Sequence, residues 1–597
     1  MIDRAKIARY GINSQISAIV YDPVQSLLAV GTNESQYGQG QVYIFGQARV
    51  TAIFKLPRAG SVRSLHFCAD KLIVQSSKNE LSLFSLETRR SITSYTPTGY
   101  VSCVFVDPAT DWAFIGLKSG EIIIYDLDRQ REAPFKLPYL WQDANSRSRP
   151  SPVLSLSLHP RDLGTLLVGY PEGALTYSLK QSKIVKRFQY EVRAGAPGGG
   201  GDFGSSSGST RTPALLQAIW HPLGTFLLTT HTDCSIAFWD VKDGRLVASR
   251  NLTDTSVHLP GRGGTAKSSR SEAVSINEPL FKVAWCCAQN PDETGLLIAG
   301  GGPSADPIKG LTFLDYGSTP SYATSSWQVL SDYFDHPRRQ KTLATSSGFL
   351  PVDFCLVPKT SPHYGGGQDP ATVIVLSTTG EVQSLAFPSG ERLVSANILP
   401  LSLCLLSPFM TSFSLSHASP DRFIGLTEKR NQHNPFLLGG AEATRPLKRF
   451  ERRPVALCAH RDGSVRVWDL GHGDEIGNPR MSQADVAIAL NRAEDVDITC
   501  TAFSAATGEL AVGLRTGEII VMKWDRARSD TGNPFPTPSV TNIRSRVDTT
   551  LQEGFMAFAG IEEPRESISV IHVSDVGFIV AGTANGGFLI VDMRVCA

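Results

Sequence analysis

The sequence is constrained above all by a phrase that it repeats. From Ala459 it reads AHRDGSVRVWDL, and from Gly116 it reads GLKSGEIIIYDL. Each begins with a small residue and passes through a polar stretch holding a turn glycine. Each then runs into an apolar-rich strand that closes on an aromatic residue and Asp, the pattern of a β-hairpin. Val465 and Val467 alternate with Ser464 and Arg466, so one pleat face is apolar. Ile122, Ile123 and Ile124 form a continuous apolar run, which implies burial on both faces.

Further copies are THTDCSIAFWDV from Thr230, GLRTGEIIVMKW from Gly513 and GTANGGFLIVDM from Gly582. Upstream of most copies lies another apolar strand and turn, as in ISAIVYDPVQSLLAVGT from Ile16 and VSCVFVDPATDWAFIGL from Val101. The unit is therefore three or four antiparallel strands, recurring about every 40 residues where no insertion intervenes, the period of a WD40-type propeller blade. Seven units are expected within 1–395, centred on 17–56, 61–95, 101–137, 152–188, 215–250, 280–316 and 351–393. Seven blades close a ring and leave no sheet edge to the next blade unpaired. Within 396–597 three more units are expected, over 398–470, 498–525 and 568–593, too few to close a second ring. The fold expectation is thus all-β, one complete seven-bladed propeller in 1–395 and an incomplete second one in 396–597.

Composition agrees. With 41% hydrophobic and 19% charged residues over 597 positions, the chain has ample core for more than one domain. Its 57 basic and 56 acidic residues leave a formal charge of +1, which gives no bulk attraction to nucleic acid. The ten cysteines include no CxxC pair and sit mostly in strand-like contexts, so they are expected to be reduced core residues of a cytosolic protein. The opening MIDRAKIARYGINSQ has no apolar signal core. The window from Ile398 to Met410 is broken by Pro400 and Pro408 and is short for a span, so a buried strand pair is expected there.

Catalytic motifs find no support. Gly204-Ser205-Ser206-Ser207-Gly208 matches a nucleophile pattern and Gly199, Gly201 and Gly204 match a dinucleotide loop, but both lie in a Gly/Ser-rich insertion. Neither has the strand and helix that such chemistry requires. The twelve histidines lack metal-ligand spacing, and His159 and His221 precede prolines in turns, where a structural role is expected. Asp126, Asp240, Asp469 and Asp592 recur at blade spacing and are expected to bond the adjacent turns rather than to form a carboxylate ring. No catalytic residue, cofactor or metal is assigned. Ser482 followed by Asp485 resembles a capping box, so a short helix is expected from Met481 between two blades.

One surface feature departs from the repeats. RPLKRFERRP carries Arg445, Lys448, Arg449, Arg452 and Arg453 around Phe450, in the long insertion before AHRDGSVRVWDL. Such a run can grip an acidic partner or anionic lipid headgroups, or it can be a solvated loop leading into a strand. HPRRQK from His336 is a weaker feature of the same kind.

These residues also carry a resemblance. PVLSLSLHPRDLGTLLVGYPEGALTYSL from Pro152, ISAIVYDPVQSLLAVGT, ALCAHRDGSVRVWDL and VSDVGFIVAGTANGGFLIVDMR resemble the lethal giant larvae and tomosyn proteins. ALNRAED followed by ELAVGLRTGEIIVMKW is most similar to the fungal exocytosis branch. The resemblance implies two propellers side by side, no catalysis, and binding of plasma-membrane SNAREs, a SNAP-25-like protein and syntaxins. It also implies contact with a secretory Rab GTPase, exocyst subunits and myosin, and peripheral membrane association at sites of polarised secretion. Family members continue well beyond the VDMR position, so a C-terminally truncated form is expected. Two alternatives stay open. One is a different WD40 scaffold, such as a coat or tethering subunit. The other is a propeller hydrolase, which would need polar residues converging on the channel where the inner strands read as mostly apolar.

Overall fold

The computed structural model describes the chain except residues 1–10, 37, 47–48, 108–109, 143–148, 201–208, 261–276, 360–366, 394–398, 400–402, 404–407, 419–427, 432–436, 438, 441–452, 471–480, 493–495, 528–534, 536–538, 563–565 and 597. The described strands form ten sheets. Sheets 1 to 5 span 16–55, 62–95, 101–137, 155–188 and 215–250, and each is a four-stranded antiparallel meander in chain order. Sheet 6 spans 280–344 and sheet 7 spans 351–386 with three strands.

The inner strands Ile16–Asp22, Val62–Cys68, Val101–Val106, Ser155–His159, Leu215–Trp220, Leu280–Cys287 and Pro351–Pro358 touch in that order, and the last returns to the first. That closure makes a seven-bladed ring. Sheets 8, 9 and 10 form a second series through the inner strands Met410–Ala418, Ile498–Ser504 and Ile568–Val573.

Glycine explains why the repeated phrase begins small. A Cβ on Gly116 would lie 2.8 Å from both Val153 Cβ and Val153 Cγ1, just ahead of the following sheet. Gly513 stands in the same relation to Ile568. The sheets approach so closely at these points that only a missing side chain admits the neighbour. The two series meet through an apolar cluster in which Leu399, Leu403 and Leu437 join Tyr43, Phe45, Ile374 and Leu376 to Ala456, Cys458 and Trp468.

Several expectations are corrected. Met481–Asp485 is the fourth strand of sheet 8, registered against Ser464–Asp469, and the helix is only Val486–Leu490. Asp485 makes no side-chain cap bond, so Ser482 and Asp485 are not a capping box. Sheet 6 takes its fourth strand, Arg339–Ala344, after a helix at Trp327–Asp335, beyond the expected end at 316. Sheet 9 likewise recruits Leu551–Ile561 beside Ile519–Arg526, beyond 525. Within the Ile398–Met410 window, Leu399 and Leu403 are buried, and no strand is described before Met410.

The ring's centre is more polar than alternation suggested. Lys282 of sheet 6 reaches Asp353 Oδ1 at 2.6 Å and the Phe354 carbonyl at 2.8 Å in sheet 7. Burial, with Lys282 nearby, pushes His66 of sheet 2 down to about 4, so it is neutral. The lysine's charge is thus answered within the ring by one carboxylate and one carbonyl.

Candidate partner-binding surface

The long insertion between the first two strands of sheet 8 is held at three places. Lys429–Arg430 pairs with Leu551–Ile561 on the edge of sheet 9. Leu437 is buried, and Gly439 donates its N–H to the Ser26 carbonyl of sheet 1 at 3.3 Å. Arg453 then opens the Arg453–His460 strand opposite Ala418. Gly46 is a requirement of this docking, since the Gly439 carbonyl lies where its Cβ would be. In sequence, the basic run follows the Gly439 contact with sheet 1 and precedes the Arg453–His460 strand of sheet 8. Arg445, Lys448, Arg449 and Arg452 lie outside the described residues. Arg453 is placed by its backbone alone.

Sequence reasoning missed the residue that pins this insertion, Arg430. Its guanidinium, 4% exposed, meets Glu428 at 2.8 Å, Asp548 at 2.7 Å and Asp485 at 3.6 Å. Gln483 ties the carboxylates together, its N–H donating to Glu428 at 2.9 Å and its Nε2 to Asp485 at 2.6 Å. Three carboxylates around one cation leave an excess of negative charge. Burial, aided by Glu428 and Asp462 against the pull of Arg430 and Gln483, pushes Asp485 from 3.8 up to about 6. A lone Arg within a polar insertion carries no pattern that announces burial.

A cleft of about 480 Å³ is lined by Ser346, Arg392, Thr411, Arg461, Asp497 and Ile498 among others, from the surroundings of sheets 7, 8 and 9. Arg461 pairs with Glu381 of sheet 7 at 3.8 Å, and Glu381 accepts the Phe409 N–H at 2.9 Å. The size suits a peptide segment, and two guanidinium groups flank it. Ser346 accepts hydrogen bonds from Gln383 and from Arg392. His460 donates Nδ1–H to the Pro408 carbonyl at 2.8 Å, and burial with Arg466 nearby drives it down to about 3. No hydrogen bond joins a cleft serine to His460 among the described residues, so no nucleophile–base pair is assembled there.

The remaining expectations resolve as follows. Residues 201–208, with the two glycine motifs, lie outside the described residues, except that Gly199 donates its N–H to Asp233 at 3.0 Å. His159 bonds the Gly224 carbonyl and the Arg161 N–H, and His221 accepts the Leu223 N–H, so both organise turns. Asp126 accepts from the Asp128 and Arg129 N–H groups, Asp240 from Lys242, and Asp592 from Arg594. In HPRRQK, Lys341 bonds the Ser389 carbonyl at 2.6 Å. Eight described cysteines are unpaired. Among the described residues no group of three or more His, Cys, Asp and Glu is placed to hold a metal. No helix among them is long and apolar enough to cross a membrane.

A closed ring of antiparallel meanders, with a second series packed on it through the cluster around Leu399, Leu403 and Leu437, defines a WD40-type β-propeller protein. Residues 495–597 match the family model described as lethal giant larvae like, C-terminal. Over 99% of the chain there is 31% identity to a lethal(2) giant larvae protein homolog, SRO77, of Saccharomyces cerevisiae. Over 78% there is 23% identity to a mouse protein named LLGL scribble cell polarity complex component 2. A chain of the mitotic checkpoint complex crystal structure aligns over 64% of this one at 12% identity and a TM-score of 0.39. The chain is thus similar to lethal giant larvae proteins along nearly its whole length. It spans 59% of the yeast relative's length and 42% of the mouse relative's.

Proposed function

We propose that this chain is a non-enzymatic scaffold that binds plasma-membrane SNAREs, a SNAP-25-like protein and syntaxin, and so regulates vesicle docking and fusion in polarised exocytosis. A secretory Rab GTPase modulates the binding. Exocyst subunits and myosin are further partners, and the protein works at the cytoplasmic face of the plasma membrane. Residues 1–395 act as the first seven-bladed propeller of this scaffold and 396–597 as the first blades of a second, incomplete one.

The observation that carries the reading is the 31% identity across 99% of the chain to the yeast lethal(2) giant larvae homolog. The mouse relative's name, a cell polarity complex component, supports a role in polarity. The basic insertion suits such partners, because SNARE segments and inner-leaflet headgroups are acidic and a cluster of arginines attracts both.

Capture of the endogenous protein through an N-terminal tag, followed by mass spectrometry, tests the reading. SNAREs and a secretory Rab should co-purify. Recovery of coat or tethering subunits without any SNARE would replace the reading with the other scaffold class.

A further inference from the structure

The outer rim of sheet 4 carries charge that the fold does not use. Its last strand, Lys183–Phe188, lies at the edge of the sheet and on the outside of the ring. Together with the turn before it, that stretch reads LKQSKIVKRF from Leu179, four cations and no carboxylate. Register aligns it with LETRRSITSY in sheet 2 and LDRQREAPFK in sheet 3, where acids stand among the cations. In sheet 3 the acid is in use, since Asp128 pairs with Lys71.

The lysines of sheet 4 form one patch with a neighbour from sheet 5. A Cβ on Gly244 would lie 3.5 Å from Lys186 Cδ, so Lys186 reaches the sheet 5 turn that carries Lys242. A Cβ on Gly164 would lie 3.1 Å from Lys180 Cε, so the Lys180 stem lies along the turn that carries Leu163. Lys180, Lys183 and Lys242 are exposed and Lys186 is half-buried. Among the described residues no ion pair or hydrogen bond holds any of these four ammonium groups. Two carboxylates lie nearby: Asp162 accepts from the Thr165 hydroxyl at 2.7 Å and the Gly164 N–H at 3.1 Å, and Asp243 is exposed beside Lys242. The patch as a whole stays positive.

Two features select its partner. Leu163 and Val185 stand among the lysines, each 49% exposed. The arginines beside the patch are committed to the protein, for Arg187 lies over the Trp141 ring and donates to the Leu140 carbonyl at 3.4 Å, and Arg245 lies 4.4 Å over Trp327. An acidic polypeptide is gripped best by the fixed fork of arginine, whereas a bilayer interface takes flexible ammonium groups and aliphatic side chains together and needs no pocket. We propose that this rim is a contact for an anionic membrane, with Lys180, Lys183, Lys186 and Lys242 at the headgroups and Leu163 and Val185 entering the interface. Sheet 4 stands three places round the closed ring from both sheet 1 and sheet 7, the two that pack on the second series, so the contact leaves that junction clear.

Flotation of the purified 597-residue chain with phosphatidylcholine vesicles, with and without phosphatidylserine, tests this. No SNARE is present, so failure here leaves the scaffold reading standing. The wild type should float with the anionic vesicles alone. Changing Lys180, Lys183, Lys186 and Lys242 together to Glu should weaken binding at least tenfold with the thermal midpoint unchanged, since these side chains hold no bond in the fold. Leu163→Ser with Val185→Ser should weaken it several-fold and remove the binding that survives high salt. The basic insertion is a second source of cations, so reversal of Arg445, Lys448, Arg449, Arg452 and Arg453 is the control, and it should leave a component of binding that the four-lysine change removes. A wild type that stays off anionic vesicles would show that the lysines only guard the edge strand against pairing, and overturns the proposal. Binding that survives the four-lysine change undiminished overturns it too. So does capture of poly-glutamate in place of vesicles, which would make the rim a site for an acidic protein.

Discussion

Thr229 and Cys458 hold the same position in sheets 5 and 8, and only Thr229 joins a tryptophan to a histidine. Each lies one residue pair from an aromatic-Asp ending: Thr229 opposite Ala237, two before Trp239, and Cys458 opposite Arg466, two before Trp468. Thr229 Oγ1 accepts the Trp239 Nε1–H at 2.8 Å and gives its proton to His231 Nε2 at 3.0 Å, while His231 Nδ1–H donates to the Pro213 carbonyl at 3.1 Å. In sheet 8 the His460 bond to Pro408 is kept, but Trp468 Nε1 and His460 Nε2 are buried with no partner among the described residues. A thiol cannot bridge as a hydroxyl does.

Cys458→Thr should therefore stabilise the protein. It offers partners to two buried polar atoms, each costing about 1–3 kcal/mol when unsatisfied, so a gain of about 1–2 kcal/mol is expected in urea unfolding. The reciprocal Thr229→Cys should lower the midpoint. An unchanged midpoint for both would show that the relay contributes nothing.

Ser102→Ala should cost about 1 kcal/mol, because it removes the bond across blades to Val153, whereas Ser569→Ala should cost little. Ser102 Oγ lies 2.6 Å from the Val153 carbonyl, whereas Ser569 Oγ bonds the Gly582 carbonyl of its own sheet at 3.1 Å, so equal losses in thermal unfolding would contradict the difference.

Asp485 ties stability to pH. Its folded pKa lies above its ordinary value, so the ionised form is the one the fold disfavours. The stabilising contribution is present when the group is protonated and is lost as pH rises from about 4 to about 6. A shift of roughly two pH units corresponds to about 3 kcal/mol as an order of magnitude. Asp485→Asn should flatten that part of the profile and gain relative to the wild type as pH rises. Parallel stability curves for the two proteins over this range would refute the assignment.

Gly439→Val should undock the insertion, since a Cβ there meets the Gln25 carbonyl and the Leu27 side chain. Tryptic cleavage after Lys448 should accelerate several-fold without loss of the first ring's thermal transition. An unchanged cleavage rate would mean that the contact with sheet 1 does not hold the loop.

What could be read from the sequence was the hairpin grammar, because turn glycines such as Gly120 and Gly463 and the alternation around Trp468 are local signals. The phrase's leading glycine was legible as small, but its reason lay in Val153, just ahead of the next sheet, and in Ile568, the first residue of its neighbour sheet. Outer strands were the harder part. Arg339–Ala344 and Leu551–Ile561 follow insertions, and Met481–Asp485 is made a strand by Trp468 and Val467 across from it rather than by its own propensity. Arg430 was invisible for the same reason: its three carboxylates come from positions 428, 485 and 548.

The central claim is that this propeller protein is a SNARE-binding scaffold, and titration calorimetry of the purified chain against SNAP-25-like and syntaxin cytosolic domains tests it most directly. Saturable binding is predicted, weakening roughly tenfold when Arg445, Lys448, Arg449, Arg452 and Arg453 are reversed to Glu, with the loss growing at low salt. No binding to either SNARE by the natively folded chain would contradict the claim.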